Sequence, residues 1–187
     1  MEIGTSKGQV FTITATLLIS LIIVLFISTI DVQPEQNSNN FRNWFENSFQ
    51  NIPNVFNIAI TEENTLNNAK KDIYSYNQFI ERRSRSKGID FTSSYFLVFP
   101  DSGEASFINY QNSEKEVNIM TGSSWSNNTL GPKQELELSY TPGQTGFRLI
   151  IPSDDIDESF TASNPRIFGR MRMSSNDQVW INSGLNW

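Results

Sequence analysis

The sequence predicts an α+β protein in which an N-terminal transmembrane helix and two further helices precede an antiparallel, β-rich head with a sandwich-like sheet. Three observations support this prediction. A charge-free segment runs from Gly8 to Ile30, apolar residues recur at helical spacing up to Gly88, and alternating patterns broken by turn residues dominate from Phe91 onward. The predicted parts are a cytoplasmic leader, a transmembrane anchor, a linker and an extracytoplasmic head, over residues 1–8, 9–30, 31–40 and 41–187.

The composition excludes several classes of function. The 187 residues include no His and no Cys, with 14 Lys and Arg against 20 Asp and Glu and a net charge of −6. The chain therefore has no His-based triad, no Cys nucleophile, no disulfide and no imidazole or thiolate metal site. The acidic balance argues against nucleic acid as a partner. Because no catalytic constellation, cofactor motif or metal site stands out, we expect no enzyme; an enzyme with carboxylates converging in a pocket is the alternative.

The charge-free segment is predicted to be a retained membrane anchor. It is 23 residues long, and roughly 20 apolar residues of helix span a bilayer core. A secretory signal is the alternative, but its apolar region has only about 7–15 residues before a cleavage site of small residues. Residues 28–32 offer no convincing site of that kind. Lys7 before the segment and Asp31 after it direct the N-terminus to the cytoplasm and the head to the exterior.

Lys7, Gly8 and Gln9 directly precede the apolar segment. This arrangement resembles the class III signal peptide of type IV pilin-like proteins, particularly archaeal ones, over the first 30 residues. The resemblance implies that a prepilin peptidase cuts between Gly8 and Gln9 on the cytoplasmic side and leaves the apolar helix on the mature protein. It also implies self-association or association with other pilin-like subunits. Many pilins carry Glu at the fifth mature position, where this chain has Ile13, so the resemblance does not extend to the pairing of that Glu with a neighbour's N-terminal amine.

The linker and the second helix follow the anchor. Pro34 and a cluster of Asn, Ser and Gln interrupt the helical pattern over residues 31–40. Ser38 is the predicted cap of a helix that ends before Pro53, and residues 54–60 are predicted to be a strand or an extended link. One face of this helix is aromatic, with Phe41, Trp44, Phe45, Ser48 and Phe49. We expect that face to pack on the domain's own sheet; a helix lying on the membrane surface is the alternative.

A third helix is predicted from an apolar stripe. Thr61 or Asn64 is the expected N-cap, and Gly88 suits the position just after the helix. The stripe consists of Leu66, Ala69, Ile73, Tyr76 and Ile80. A basic cluster occupies the last turn, with Arg82, Arg83, Arg85 and Lys87. These cations complement the helix dipole, and a docking site for an acidic partner or an anionic glycan is the alternative.

The remaining sequence predicts about seven short strands with turns between them, as in an antiparallel sandwich. They are expected over residues 95–99, 105–110, 116–120, 135–140, 147–151, 166–173 and 178–182.

Two polar motifs fall between these strands. Asn127, with Thr129 two positions later, forms a glycosylation acceptor in a predicted loop over residues 121–131. The other motif is an acidic cluster of Asp154, Asp155, Asp157 and Glu158. It lacks the spacing and the glycine of an EF-hand, so we expect a solvated loop, and a Ca²⁺ site is the alternative.

These features favour a pilin-like, membrane-anchored surface protein that is a structural subunit or a minor component of a cell-surface filament. The alternative is a non-polymerising, single-pass surface binding module of the adhesin type. Removal of residues 1–8 distinguishes the two hypotheses.

Overall fold

The structure, a computed structural model, describes residues 40–62, 64–175 and 178–186. The chain divides into two compact units, Met1–Trp44 and Phe45–Trp187, and the strands found among the described residues belong to the second. Within the described ranges, no helix combines the length and the apolar character needed to cross a membrane. The predicted leader, the predicted anchor and all but the last residue of the predicted linker lie outside these ranges.

The predicted fold class is wrong for the part of the chain that the structure describes. The sequence predicts a transmembrane helix, two further helices and about seven strands in an α+β fold. The described residues instead form two helices, neither of them membrane-spanning, and nine antiparallel strands in two sheets. The architecture is a β-rich fold of two sheets with a helical layer. It has more strands than the sequence predicts, because two polar segments that the sequence-based prediction assigns to loops form strands of the four-stranded sheet.

The first helix, α1, is helical throughout residues 40–62 and passes through Pro53. The predicted end before this proline and the predicted strand or extended link after it are therefore wrong. A proline inside a helix removes one backbone hydrogen bond and costs about 3 kcal/mol. Burial on both sides of the proline offsets that cost. The buried stripe consists of Phe45, Ser48, Ile52, Phe56 and Ala59. The predicted cap, Ser38, lies outside the described residues.

The second helix, α2, spans Leu66–Arg85 and follows its predicted pattern. Its N-cap is Thr65, whose Oγ1 accepts a hydrogen bond from the backbone N–H of Asn68 at 3.3 Å, and not the predicted Thr61 or Asn64. Gly88 follows the helix with a φ of +69°, a left-handed conformation that glycine adopts without strain. The buried face contains Leu66, Ala69, Ile73, Asn77, Ile80 and Ser84, while the predicted Tyr76 is half-buried.

The nine strands come after the two helices in the chain. They are β1 (Asp90–Phe99), β2 (Glu104–Asn109), β3 (Lys115–Thr121), β4 (Ser124–Leu130), β5 (Glu135–Ser139), β6 (Gly146–Ile151), β7 (Ile156–Thr161), β8 (Arg166–Ser175) and β9 (Gln178–Asn186). A single 3₁₀ turn, Pro152–Asp154, joins β6 to β7.

All strand pairings in the described ranges are antiparallel. The larger sheet has the order β5-β2-β1-β8-β9, and the smaller sheet has the order β4-β3-β6-β7. In the larger sheet the register places Phe96 opposite both Phe107 and Phe168. Since side chains alternate across a strand, these three rings share one face of the sheet.

That face packs on the inner face of the smaller sheet and forms the main core. The core joins apolar residues of both sheets, and each sheet contributes aromatic and aliphatic side chains. Its members include Phe96, Val98, Phe107, Phe168, Val117, Ile119, Phe147, Leu149 and Ile151. Leu149 and Ile119 are opposite each other in the register and are both completely buried.

The opposite face of the larger sheet is covered by helices. The ring centroids of Phe56 in α1 and Phe99 in β1 lie 5.9 Å apart. The Tyr95 hydroxyl of β1 donates a hydrogen bond to Oδ1 of Asn77 in α2 at 3.3 Å. The unit Phe45–Trp187 therefore has three layers, which are helices, the larger sheet and the smaller sheet.

Strands β4 and β7 are absent from the sequence-based prediction. Both lie at edges of the smaller sheet and show one face to solvent. β4 carries only two apolar residues, Trp125 and Leu130, and β7 contains part of the acidic cluster. Their strand conformation depends on backbone hydrogen bonds to β3 and β6, which no local pattern encodes.

Candidate functional site

The outer face of the smaller sheet carries a group of solvent-accessible side chains that we call the Trp125 patch. Alternation along β4 places three of its members on this face, because Leu130 of the same strand belongs to the core on the other face. The Trp125 patch consists of Trp125, Asn127, Thr129, Arg148 and Asp157.

The strand register brings these residues together from three strands. Met120 of β3 lies opposite both Trp125 of β4 and Arg148 of β6. Asn118 of β3 lies opposite Asn127. The patch is therefore a surface that extends across the sheet. The sequence-based prediction that Asn127 lies in a loop is wrong, because this residue belongs to strand β4.

Arg148 holds the centre of the patch. Its Nε and Nη2 atoms donate hydrogen bonds to the two carboxylate oxygens of Asp157 at 2.8 and 2.7 Å. This planar, bidentate pair fixes the guanidinium group more firmly than a single contact would. The hydrogen bond from Arg148 holds the pKa of Asp157 below its ordinary value.

The same guanidinium group lies over the indole ring of Trp125. The distance from Arg148 Cζ to the ring centroid is 6.0 Å, which is within the range of a cation–π interaction. Trp125 is nevertheless 46% exposed as a residue. Trp125 is thus an exposed aromatic ring whose position is supported from one side.

The chemistry of the Trp125 patch is that of a surface for polar molecules. It offers an aromatic face, a side-chain amide, a hydroxyl and one neutralised ion pair. An amphipathic ring beside hydrogen-bonding groups suits ligands with both apolar and hydroxyl faces, such as carbohydrates. The patch does not pair a nucleophile with a base, so it does not resemble a catalytic site.

A second cluster of charges is buried at one end of the space between the sheets. The Asp154 carboxylate forms ion pairs with Lys115 of β3 and Arg170 of β8. The three side chains are only 4%, 7% and 11% exposed, respectively. Gln111 adds a hydrogen bond from Nε2 to Oδ2 of Asp154 at 3.3 Å. The cluster therefore joins the turn before β7 to both sheets.

The buried ion pairs of this cluster favour a structural role, in which Asp154 connects parts of the fold. Burial alone would raise the pKa of Asp154, but the hydrogen bonds from Lys115 and Arg170 outweigh it and lower that pKa. The carboxylate is thus held ionised by two cations. A carboxylate stabilised in this way is a poor proton acceptor, so the arrangement favours a clamp between elements over general base catalysis.

The four residues of the acidic cluster have separate surroundings. Asp154 points to the buried cations and Asp157 pairs with Arg148, while Asp155 and Glu158 are exposed. In the described ranges no group of three His, Cys, Asp or Glu residues is placed to hold a metal ion. The predicted solvated loop is wrong from residue 156 onward, because Ile156–Thr161 is strand β7.

Two of the four residues in the basic cluster at the end of α2 make contacts within the helix. Arg82 donates a hydrogen bond to Gln78 at 3.1 Å, and Arg85 forms an ion pair with Glu81 at 2.8 Å. These contacts span one helical turn and are typical of a solvated helix end. They favour dipole complementation over a docking site for an acidic partner.

An apolar groove of about 200 Å³ separates α1 from the end of the larger sheet. Its lining consists of Phe49, Gln50, Ile52, Pro53, Ile167, Gly169 and Gly184. Among these residues none is ionisable, so the groove supplies shape and apolar surface but no acid–base chemistry.

The predicted site residues have different outcomes. Lys7, Gly8 and Gln9, the predicted processing site, lie outside the described residues. Asn127 lies on the exposed face of β4. Sequence reasoning missed the roles of Trp125 and Arg148. The alternate positions of Trp125 and Asn127 are a signal for a strand with both side chains on one face. The contact between Trp125 and Arg148 has no local signal, because it depends on the register of β3 with β6.

No family model, curated protein or solved structure matched the chain. Function is therefore inferred from the chemistry of this chain's own residues.

Proposed function

We propose that this chain is a type IV pilin-like, membrane-anchored surface protein that serves as a structural subunit or a minor component of a cell-surface filament. The observation that carries this proposal is the sequence Lys7, Gly8 and Gln9, in which Lys7 directly precedes the charge-free segment and Gly8 and Gln9 begin it. Cleavage between Gly8 and Gln9 on the cytoplasmic side leaves the apolar segment on the mature chain. Glycine at the cleavage position lets the backbone extend into a protease cleft.

After cleavage the apolar segment holds the subunit in the membrane, with the head outside the cell. During assembly these segments pack against each other in the filament core, and the heads cover the outside. Thr12, Thr14 and Thr16 supply small hydroxyl side chains for contacts between such helices.

One edge of the larger sheet, as the described residues form it, supports the self-association part of the proposal. Strand β9 lies at that edge and carries no charged side chain. Val179 and Ile181 on this strand are each 54% exposed. Edge strands without charges or proline offer unpaired backbone groups to another chain.

The proposal is tested by recovering the protein from native membranes and determining its first residue by mass spectrometry. We expect a start at Gln9 for the natural chain. Gly8→Ile should block cleavage and give a start at Met1, whereas Gly4→Ile, a matched change inside the leader, should leave the Gln9 start unchanged. A start at Met1 in the natural chain would contradict the processing step, and a start near Asp31 would show that the apolar segment is only a secretion signal.

A non-polymerising surface binding module is the second candidate function. The Trp125 patch favours it, because an exposed ring held by Arg148 is a feature of ligand-binding surfaces. Shearing of intact cells followed by sedimentation separates the two candidates. A filament component is recovered in large particles that contain the Gln9 form, whereas a binding module stays with the membranes.

A further inference from the structure

Strand β4 presents an acceptor asparagine between two partners on one face. Trp125, Asn127 and Thr129 occupy alternate positions and are all exposed, so their side chains project from the outer face of the smaller sheet. Alternate residues on one face of a strand lie about 7 Å apart, since each residue advances the strand by about 3.3 Å. A group attached to the amide of Asn127 therefore lies beside the indole ring of Trp125.

The ring is arranged to receive such a group. Arg148 lies over the ring with its Cζ 6.0 Å from the centroid, and the two hydrogen bonds to Asp157 hold that guanidinium in place. Trp125 remains exposed despite this contact. An aromatic ring that is already fixed loses little conformational entropy when a second molecule packs on it.

The position of β4 in the sheet supplies a reason for a bulky modification. The other edge of the smaller sheet, β7, carries the exposed Glu158, whose charge opposes pairing with another chain. β4 has no charged residue between Ser124 and Leu130. A bulky, hydrated group on Asn127 would protect this edge as charges protect the other.

We infer that Asn127 carries an N-linked glycan whose first sugar packs on the indole ring of Trp125. The inference rests on the proposed function, because it requires the head to lie outside the cytoplasm. The donor is a lipid-phosphate-linked sugar. The Asn127 Nδ2 atom forms a bond to the anomeric carbon, the bond from that carbon to the phosphate oxygen breaks, and the lipid phosphate leaves with the electron pair. The amide loses one proton to a base of the transferring enzyme.

The test uses the full chain, made in its own cells and purified in detergent. Mass spectrometry of the peptide that contains Asn127 should show an added sugar mass, which Asn127→Gln removes. Loss of the glycan should lower the Tm by about 2–4 °C, the shift expected for one stacking contact in a chain of this size. In the Trp125→Ala background the same loss should leave the Tm unchanged.

Phe79→Ala is the matched control, because Phe79 is an aromatic residue 54% exposed on α2. In that background the Tm effect of the glycan should stay at its full size. An equal glycan effect with and without Trp125 would overturn the packing of the sugar on the ring. An unmodified Asn127 in protein that starts at Gln9 would overturn this inference while leaving the proposed function intact.

Discussion

At the scale of single residues, Asp154 has the most demanding environment among the described side chains with a resolved ion pair. It lies between the sheets with Lys115 and Arg170, and all three side chains are nearly excluded from water. A buried charge is tolerated only when partners replace its hydration. Removal of the shared carboxylate therefore leaves two cations buried without compensation.

We expect Asp154→Asn to lower the free energy of unfolding by about 3–5 kcal/mol, because it breaks a buried ion-pair cluster. Urea denaturation measures this change. Asp155→Asn is the matched control: Asp155 is exposed with a φ of +55°, and Asn tolerates that left-handed conformation. The control should change the free energy of unfolding by less than about 0.5 kcal/mol.

The same pair of variants gives a pH dependence with a definite sign. The folded-state pKa of Asp154 is lowered, so its contribution is fully present above the unfolded-state pKa of about 3.9 and is lost as the pH falls through the folded value. The stability difference between the natural chain and Asp154→Asn should shrink in that acidic range. A difference that stays constant down to pH 2 would contradict the role of the ionised carboxylate.

At the scale of elements, the turn between β1 and β2 depends on a glycine with no room for a side chain. Gly103 has a φ of +70°, and a Cβ atom built there would lie 2.3 Å from the carbonyl oxygen of Tyr140. The Gly103 carbonyl also accepts a hydrogen bond from Tyr140 N–H at 2.8 Å. The backbone after β5 thus packs directly on this turn.

Gly103→Ala should reduce the free energy of unfolding by about 1–3 kcal/mol more than Gly143→Ala does, because only the first adds a clash. Gly143 has a comparable φ of +81°, but a Cβ atom there would meet nothing within 4 Å. Its substitution should cost only the strain of the left-handed conformation, about 1 kcal/mol. Thermal unfolding of both variants decides the comparison, and equal costs would refute the close contact with Tyr140.

Helix α1 shows at the same scale how local rules are overridden. Pro53 is a sound local signal for the end of a helix, and the aromatic stripe before it correctly indicates a helix. The stripe continues after the proline at Phe56 and Ala59, which are buried within the unit Phe45–Trp187. Burial of those side chains outweighs the local penalty, so the helix continues.

At the scale of the whole molecule, the unit Phe45–Trp187 depends on a helical layer over the second face of its larger sheet. Phe56 contacts Phe99 across this interface and is only 2% exposed. Tyr95, also on the helix-covered face of the sheet, is completely buried, and this burial raises the pKa of its hydroxyl. The helices are therefore part of the domain's core and not an accessory to it.

Phe56→Ala should lower the free energy of unfolding by about 3–5 kcal/mol, the usual cost of truncating a buried aromatic residue. Phe79→Ala removes the same group from an exposed position on α2 and should cost less than about 1 kcal/mol. Guanidinium denaturation of the two variants gives the comparison. Similar costs would show that α1 is not packed on the sheet as described.

Several features of this chain were determined by the sequence itself. Helix α2 and strand β6 lie close to their expected positions, whereas β1 includes the expected residues 95–99 but begins earlier, at Asp90. The signal for α2 is an apolar stripe at helical spacing, and the signal for the two strands is a short apolar segment. The composition alone removed thiol and imidazole chemistry. The processing site at Gly8 stays a prediction.

Three features depend on the tertiary structure. Helix α1 continues through Pro53, the polar segments β4 and β7 form strands, and the guanidinium group of Arg148 lies over the ring of Trp125. The tertiary structure also separates Asp154 from the other residues of the acidic cluster, because its carboxylate pairs with Lys115 and Arg170. All of these depend on strand register and on contacts between residues far apart in the chain. A local pattern carries no information on register, because the same alternation is compatible with several pairings until the sheets pack together.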